Sequence, residues 1–234
     1  MLLRYYLNMP TIKIGVADVR KEPRFESERD SQIIYGEEFN VLEDLGEYTK
    51  ILCRDGVTGF VKTSVIGEEV TGTYKLKSFF DAGTIKLPFG SILSETDIKK
   101  YGIRKDKITE IDNYEFLVED LSRRFMGVPY LWGGTSDFGF DCSGFVQRLY
   151  RFVGKELPRN SDQQRDFTKT VNGFKNARSG DLIFFKGHVA LYLGEGNIIH
   201  ANGHMASVSM NNLFDGSSYS RKLLDIFEKI GRVE

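Results

Sequence analysis

The chain predicts an α+β protein, and three observations carry that reading. Short apolar runs broken by glycine turns fill the first 66 residues, the hydrophobic period changes to that of a helix after Asn113, and strand-like runs return beyond residue 180. Helices first and an antiparallel sheet after them make the C-terminal part an α+β domain in its own right.

Residues 1–66 read as a small all-β barrel. Ile12, Ile14 and Val16 alternate with other residues. Residues 32–35 and 39–42 are apolar runs separated by Gly36-Glu37-Glu38. Residues 48–52 and 59–61 flank an Asp55-Gly56 turn. Cys53 ends one of these runs and is expected to be a core or edge residue, because a free cysteine behaves as a small hydrophobe. Residues 67–112 carry a strand at 84–87, a turn at Pro88-Phe89-Gly90 and a helix start at Ser94-Glu95-Thr96-Asp97. They read as a second, shortened barrel or a structured linker. Residues 113–234 form the third segment. Phe116, Leu117, Leu121 and Phe125 sit at helical spacing ahead of Gly127 and Pro129. A second helix spans about 142–153, with Phe145, Val146, Leu149 and Phe152 as its apolar stripe and Gly154 as its stop. Strands follow at 182–185, 188–193 and 198–201.

Composition narrows the function. With 32 basic and 33 acidic residues the net charge is -1, so no basic face for a nucleic acid is expected. Two cysteines in 234 residues argue against a disulfide framework and a cysteine-rich zinc site. The first ten residues include Arg4 and Asn8 and hold no apolar stretch of signal-peptide length, and no run reaches transmembrane length. The expectation is a cytoplasmic protein without a membrane partner.

The chemistry concentrates around Cys142. A glycine-rich loop, Gly133-Gly134-Thr135-Ser136-Asp137-Phe138-Gly139, runs into the start of a helix at Asp141-Cys142-Ser143-Gly144. Free backbone N–H groups and the positive end of the helix dipole favour an anion there, both a thiolate and the oxyanion of a tetrahedral intermediate. Such a nucleophile needs a base, and the base needs an orienting partner. Of the three histidines, His188 and His200 fall on consecutive strands. If the loop between them is odd, or a bulge intervenes, Ala190 faces His200, and His188 becomes a diagonal neighbour on the same face, with Cβ atoms roughly 7–8 Å apart. His188 is then the base and His200 its orienting partner. His204 reads as a surface loop residue. A His/His/Cys zinc site is possible on ligand type, but no short ligand pair anchors a metal, and no cofactor is expected. Asp141 suits an N-cap, with Ser143 in the same first-turn network. Tyr130 and Trp132 either wall a pocket or pack in the core.

The strings Pro129-Tyr130-Leu131-Trp132-Gly133-Gly134, Asp141-Cys142-Ser143-Gly144-Phe145-Val146, Pro158-Arg159-Asn160-Ser161-Asp162-Gln163-Gln164, Gly180-Asp181-Leu182-Ile183-Phe184-Phe185, residues 188–194 and Ile199-His200-Ala201 occur in that order over about 120 residues. Together they resemble the NlpC-type family of papain-like cell-wall peptidases, whose Cys/His/His triad maps onto Cys142, His188 and His200. The string Gln32-Ile33-Ile34-Tyr35-Gly36-Glu37 resembles the core motif of the bacterial SH3-like domains that precede this catalytic domain in one subgroup. The implied fold is a C-terminal papain-like domain behind one or two SH3-like barrels. The implied activity is that of a γ-D-glutamyl-L-diamino acid endopeptidase. Such enzymes recycle murein peptides by cutting L-Ala-γ-D-Glu from the diamino acid, usually meso-diaminopimelate, and require a free N-terminal L-Ala. The resemblance further implies that Asp141 and Asp30 hold the substrate ammonium and that Tyr130, Ser143 and Ser161 contact the substrate.

One departure from the subgroup stands out: Val57 takes the place of an aromatic residue, usually Tyr, in Gly56-Val57-Thr58-Gly59-Phe60. Three other functions compete with recycling: a secreted or lytic wall endopeptidase, a non-catalytic module that binds wall peptides, and an acyltransferase acting on lipids with the same Cys/His apparatus.

Overall fold

The structure, a computed structural model, describes residues 9–68 and 72–234. The leader-peptide reading, which rests on Arg4 and Asn8, concerns residues outside that range. The chain forms two compact units, Met1–Asn113 and Tyr114–Glu234.

The first unit is built on a five-stranded antiparallel sheet among its described residues. Its strands are β1 (Val16–Arg20), β2 (Arg29–Ile34), β3 (Phe39–Asp44), β4 (Tyr48–Cys53) and β5 (Thr58–Lys62), in the order β2-β1-β5-β4-β3. Period-2 alternation sends Ala17, Val19, Ile33, Ile51 and Val61 inward, where they meet Ile12, Phe39 and Cys53. Cys53 is thus a core residue, and Val57 packs partly buried against the same cluster.

Residues 72–113 belong to this unit and add a second small core. A three-stranded sheet of β6 (Tyr74–Leu76), β7 (Ile92–Leu93) and β8 (Ile108–Glu110), ordered β7-β6-β8, packs with helix α1 (Glu95–Tyr101). Leu76, Leu87, Leu93, Ile103 and Ile108 cluster there with Tyr35, contributed by the QIIYGE motif. The Tyr35 hydroxyl donates to Asp97 at 2.7 Å, and its carbonyl accepts from the Ile92 N–H at 3.0 Å, so the motif ties the two cores together. Ser94 and Asp97 close a capping box at the start of α1. The strand expected at 84–87 shortens to Lys86–Leu87, because Gly83 takes a positive φ of 77° and the pairing with Phe80–Asp81 spans only two residues.

The second unit places helices around an antiparallel sheet. Its elements are α2 (Val118–Arg123), β9 (Thr135–Ser136), β10 (Gly139–Phe140), α3 (Cys142–Phe152), α4 (Ser161–Phe167), β11 (Lys169–Val171), β12 (Leu182–Phe185), β13 (His188–Gly194), β14 (Asn197–Asn202), β15 (Ser207–Asn212), α5 (Ser218–Asp225) and β16 (Phe227–Arg232). The sheet has six strands among the described residues, ordered β11-β16-β12-β13-β14-β15. Helix α2 is shorter than the periodicity predicts. Leu117 is an extended N-cap without a side-chain acceptor, and Phe116 lies outside the helix, edge-to-face on Phe152 at 5.2 Å. One sheet face buries Ile183, Phe185, Ala190, Tyr192, Ile198 and Ile230 with Leu223 of α5. Helix α3 packs against β13 and β14, with Phe145, Val146 and Leu149 fully buried. Each such side chain is worth about 1.5–3 kcal/mol, which anchors the helix whose first residue is Cys142.

Candidate active site

Cys142 opens α3 behind Asp141, its N-cap. The approach to that point is fixed by backbone geometry. Gly133 has a positive φ of 73°, and the short hairpin β9–β10 brings Gly134 back beside the helix start, where its carbonyl accepts the Asp141 N–H at 3.0 Å. Gly144 sits so close to this loop that a Cβ would come within 2.1 Å of the Gly134 carbonyl oxygen. Only glycine fits there.

Asp141 does more than cap. Its Oδ1 accepts the Gly144 N–H at 2.7 Å and the Ser143 hydroxyl at 3.1 Å, and its Oδ2 accepts the Gly133 N–H at 3.0 Å. Arg159 then grips both oxygens, at 3.0 and 2.5 Å, and donates a further bond to Ser143 Oγ at 2.9 Å. Arg159 is only 2% exposed, so this is a desolvated, bidentate ion pair locking loop, cap and helix start together. Gln164 of α4 adds two bonds, to the carbonyls of Ser143 and Pro158. Arg159 carried no role in the sequence reading. The available signal was its place in the Pro158-Arg159-Asn160-Ser161 string.

The histidines meet as the conditional reading requires. β13 and β14 are joined by a two-residue turn, Glu195-Gly196, with φ of 53° and 81°. A bulge at Leu193 restores the odd count: Leu191 faces Ile199 and Tyr192 faces Ile198, while Gly194 faces Asn197. Continuing that register puts Ala190 opposite His200 and His188 on the same face. His188 Nε2 and His200 Nδ1 are 2.7 Å apart. On its far side, His200 Nε2 lies 3.0 Å from Asn211 Oδ1, a residue of β15 that the sequence reading missed. The available signal was the short alternation of Val208 and Met210 with Ser207 and Ser209.

The thiol is set against these residues. Cys142 Sγ accepts hydrogen bonds from the backbone N–H groups of Val189, next to His188 in β13, and of Ser143. Burial pushes the thiol up to about 11, with the Asp141 charge adding to the effect, and the two N–H groups and Arg159 only partly oppose it. Burial likewise lowers His188 to about 3, assisted by His200, and lowers His200 to about 4 against the opposing bond from Asn211. Burial thus opposes charge on the thiol and on both imidazoles, while the two backbone N–H groups and Arg159 work in favour of the thiolate.

The remaining expected residues divide. Tyr130 is half-buried and faces the thiol and Asp141; burial, followed by those two charges, pushes its hydroxyl up to about 12. Trp132 is 64% exposed beside it and belongs to no core. Ser161 is half-buried at the first position of α4, next to its cap Asn160. His204 is exposed in a loop and stacks on Tyr219 at 4.1 Å. Asp30 lies in the first unit, on β2, half exposed and 3.9 Å from Lys21. Among the described residues, no group of three or more His, Cys, Asp or Glu side chains is disposed to hold a metal, and no helix is long and apolar enough to cross a membrane.

Comparison with known proteins places this arrangement. Residues 127–226 match the NlpC/P60 family, and residues 19–66 match the bacterial dipeptidyl-peptidase SH3 domain. The chain carries an NlpC/P60 domain behind a bacterial SH3 domain. Over 87 residues it is 46% identical to a γ-D-glutamyl-L-lysine dipeptidyl-peptidase of Bacillus cereus, covering 34% of this chain and 26% of that protein. A protein of the same name from Bacillus subtilis is 36% identical over 110 residues, covering 42% of this chain and 37% of the relative. A murein DD-endopeptidase/LD-carboxypeptidase of Escherichia coli K12 is 40% identical over 106 residues, 39% of this chain and 56% of the relative. The aligned stretches thus span between about a quarter and just over half of these relatives. The crystal structure of an NlpC/P60 family protein from Bacillus cereus superposes with a TM-score of 0.77 over 96% of this chain and 99% of its own, at 20% identity, a likeness of fold. The α+β architecture behind an SH3-like domain is that of this family.

Proposed function

We propose that the chain is a cysteine peptidase that hydrolyses the bond between γ-D-Glu and an L-diamino acid in short peptidoglycan peptides bearing a free N-terminal L-Ala. The carrying observation is the alignment of Cys142 at the first position of α3, bonded by Val189 N–H, with the 2.7 Å His188–His200 pair. The names of the two Bacillus relatives support the γ-D-glutamyl bond, and that of the Escherichia coli relative supports a murein peptide more broadly.

The reaction follows from the groups present. Cys142 Sγ attacks the γ-carbonyl of D-Glu while His188 takes the thiol proton on Nδ1, the ring nitrogen not engaged by His200. The oxyanion is held by N–H groups at the start of α3. His188 returns the proton to the leaving amine of the diamino acid, which leaves L-Ala-γ-D-Glu as a thioester on Cys142. Water, deprotonated by the same imidazole, hydrolyses that thioester. Tyr130, facing the thiol, Ser143 and Ser161 serve as substrate contacts. Neither a metal nor a cofactor enters any of these steps.

The free-amine requirement has a physical constraint. An ammonium arriving at Asp141 meets a carboxylate that already accepts five bonds and is neutralised by Arg159, so Asp141 alone discriminates weakly. The second carboxylate of this proposal is Asp30, which rests on the resemblance alone. Recycling in the cytoplasm is part of the same proposal.

The test is mass-spectrometric digestion of L-Ala-γ-D-Glu-meso-diaminopimelate, its L-lysine counterpart and their N-acetylated twins, with wild type and Asp30→Asn. Release of L-Ala-γ-D-Glu from the free-amine peptides alone, with selectivity lost in Asp30→Asn, supports the reading. Equal cleavage of acetylated peptide or intact sacculi sinks the recycling role. No cleavage of any of them sinks the substrate class.

A further inference from the structure

We propose that Asn211 is a positioning residue for the reaction: by accepting the Nε2 proton of His200 it sets the tautomers of both imidazoles, and so leaves His188 Nδ1 bare to act as the base. The proposal rests on the peptidase reading above for its chemistry but not for its geometry. In the β14–β15 ladder Ile198 faces Asn211 and His200 faces Ser209. Asn211 is therefore the diagonal neighbour of His200 on one sheet face, and its Oδ1 lies 3.0 Å from His200 Nε2.

The consequence travels two rings. An amide oxygen only accepts, so His200 carries its proton on Nε2 and presents a lone pair at Nδ1. The 2.7 Å contact with His188 Nε2 must then be donated by His188. A neutral His188 with its proton on Nε2 has a free Nδ1 lone pair. Turn the amide of Asn211 over, and the chain runs the other way. His200 would donate from Nδ1, His188 would hold its proton on Nδ1, and it could not accept one from Cys142. One carboxamide thus decides whether the base is a base.

A neutral amide also suits the site better than a carboxylate. His200 is fully buried. The titratable groups facing it among the described residues are His188 from β13 and Tyr219 from α5, with ring centroids 4.9 and 6.2 Å away. Neither supplies a resident negative charge at neutral pH. A carboxylate at position 211 would draw a proton onto the imidazole pair and hold it there.

The experiment uses the full chain with Asn211→Leu and Asn211→Asp, in two assays. The first is kcat and KM on the free-amine tripeptide across pH 4–10. The second, which needs no substrate, is the pH dependence of Cys142 alkylation by iodoacetamide, followed by peptide mapping. Asn211→Leu is expected to lower kcat by about 10–100-fold with little change in KM, the usual cost of losing an outer-shell partner. Asn211→Asp is expected to move the acid limb of kcat upward by a pH unit or more, and the alkylation profile downward, because an imidazolium held beside Cys142 favours its thiolate. Unmoved profiles in Asn211→Asp, or a kcat for Asn211→Leu within twofold of wild type, overturn the proposal. If wild type cleaves no murein peptide, the peptidase reading fails, while the alkylation profile still decides the role of Asn211.

Discussion

Replacing Arg159 by Met tests the buried ion pair that holds the candidate nucleophile in place. The substitution removes two bonds to the Asp141 carboxylate and one to Ser143, in a side chain only 2% exposed. Asp141 keeps three donors, from Gly133, Gly144 and Ser143, but its charge loses its only close counter-ion among the described residues. Breaking a buried pair from one side costs about 3–5 kcal/mol, more than the bonds' net worth, because an uncompensated charge stays behind. Removing both charges costs less, so Asp141→Asn combined with Arg159→Met should recover part of the loss, with a coupling of about 1.5 kcal/mol or more. The single tryptophan, Trp132, lies in the second unit next to this network, so urea unfolding followed by its fluorescence reports that unit alone. A loss under about 1 kcal/mol for Arg159→Met, or a double variant no more stable than the sum of the singles, would refute the claim that this pair organises the helix start.

Two further outcomes follow from the same geometry. Gly144→Ala should destabilise the second unit by about 1–3 kcal/mol and lower activity with it, since its Cβ would meet the Gly134 carbonyl at 2.1 Å; unfolding midpoint and kcat/KM check this, and an unchanged midpoint contradicts it. The shifted groups set the pH range of stability. His188 and His200 are held neutral down to about 3 and 4, so the unfolded chain binds more protons below its ordinary histidine value of about 6.5. Stability should then fall as pH drops from about 6.5 toward 4. Cys142, raised to about 11, reverses the sign on the alkaline side, where stability should fall as pH rises above about 9. Urea midpoints against pH for wild type and His188→Gln test this, and an acid slope unaltered in His188→Gln would count against it.

Much of the site was legible in the sequence because it is carried by strong local signals. Asp141 before Cys142, with glycines on both sides, announces a tight loop feeding a helix start, and the structure has that helix at Cys142–Phe152. The strand Leu182–Phe185 stands out as an unbroken apolar run. The pairing of His188 with His200 was legible only conditionally, because a single-residue change in loop count flips a strand's faces, and the bulge at Leu193 leaves no mark in the residues. Three strands of the six-stranded sheet were missed. Ser207–Asn212 alternates only over Val208 and Met210 before two asparagines, Lys169–Val171 is short and polar, and Phe227–Arg232 mixes Glu228 and Lys229 with a buried Ile230 and Gly231. Asn211 was lost with the first of these. Arg159 escaped because charged residues are rarely buried, and only its distant partner Asp141 explains it. The desolvation that raises the thiol was also out of reach, since the sequence shows the helix start but not how deeply it is buried.

The most direct measurement is rapid-quench peptide mapping of the full chain mixed with L-Ala-γ-D-Glu-meso-diaminopimelate. The account predicts an L-Ala-γ-D-Glu acyl group on Cys142 that appears before free dipeptide and decays with its release, and is absent in Cys142→Ala together with all turnover. Dipeptide released at the wild-type rate by Cys142→Ala, or an acyl group formed on any other residue, would contradict it.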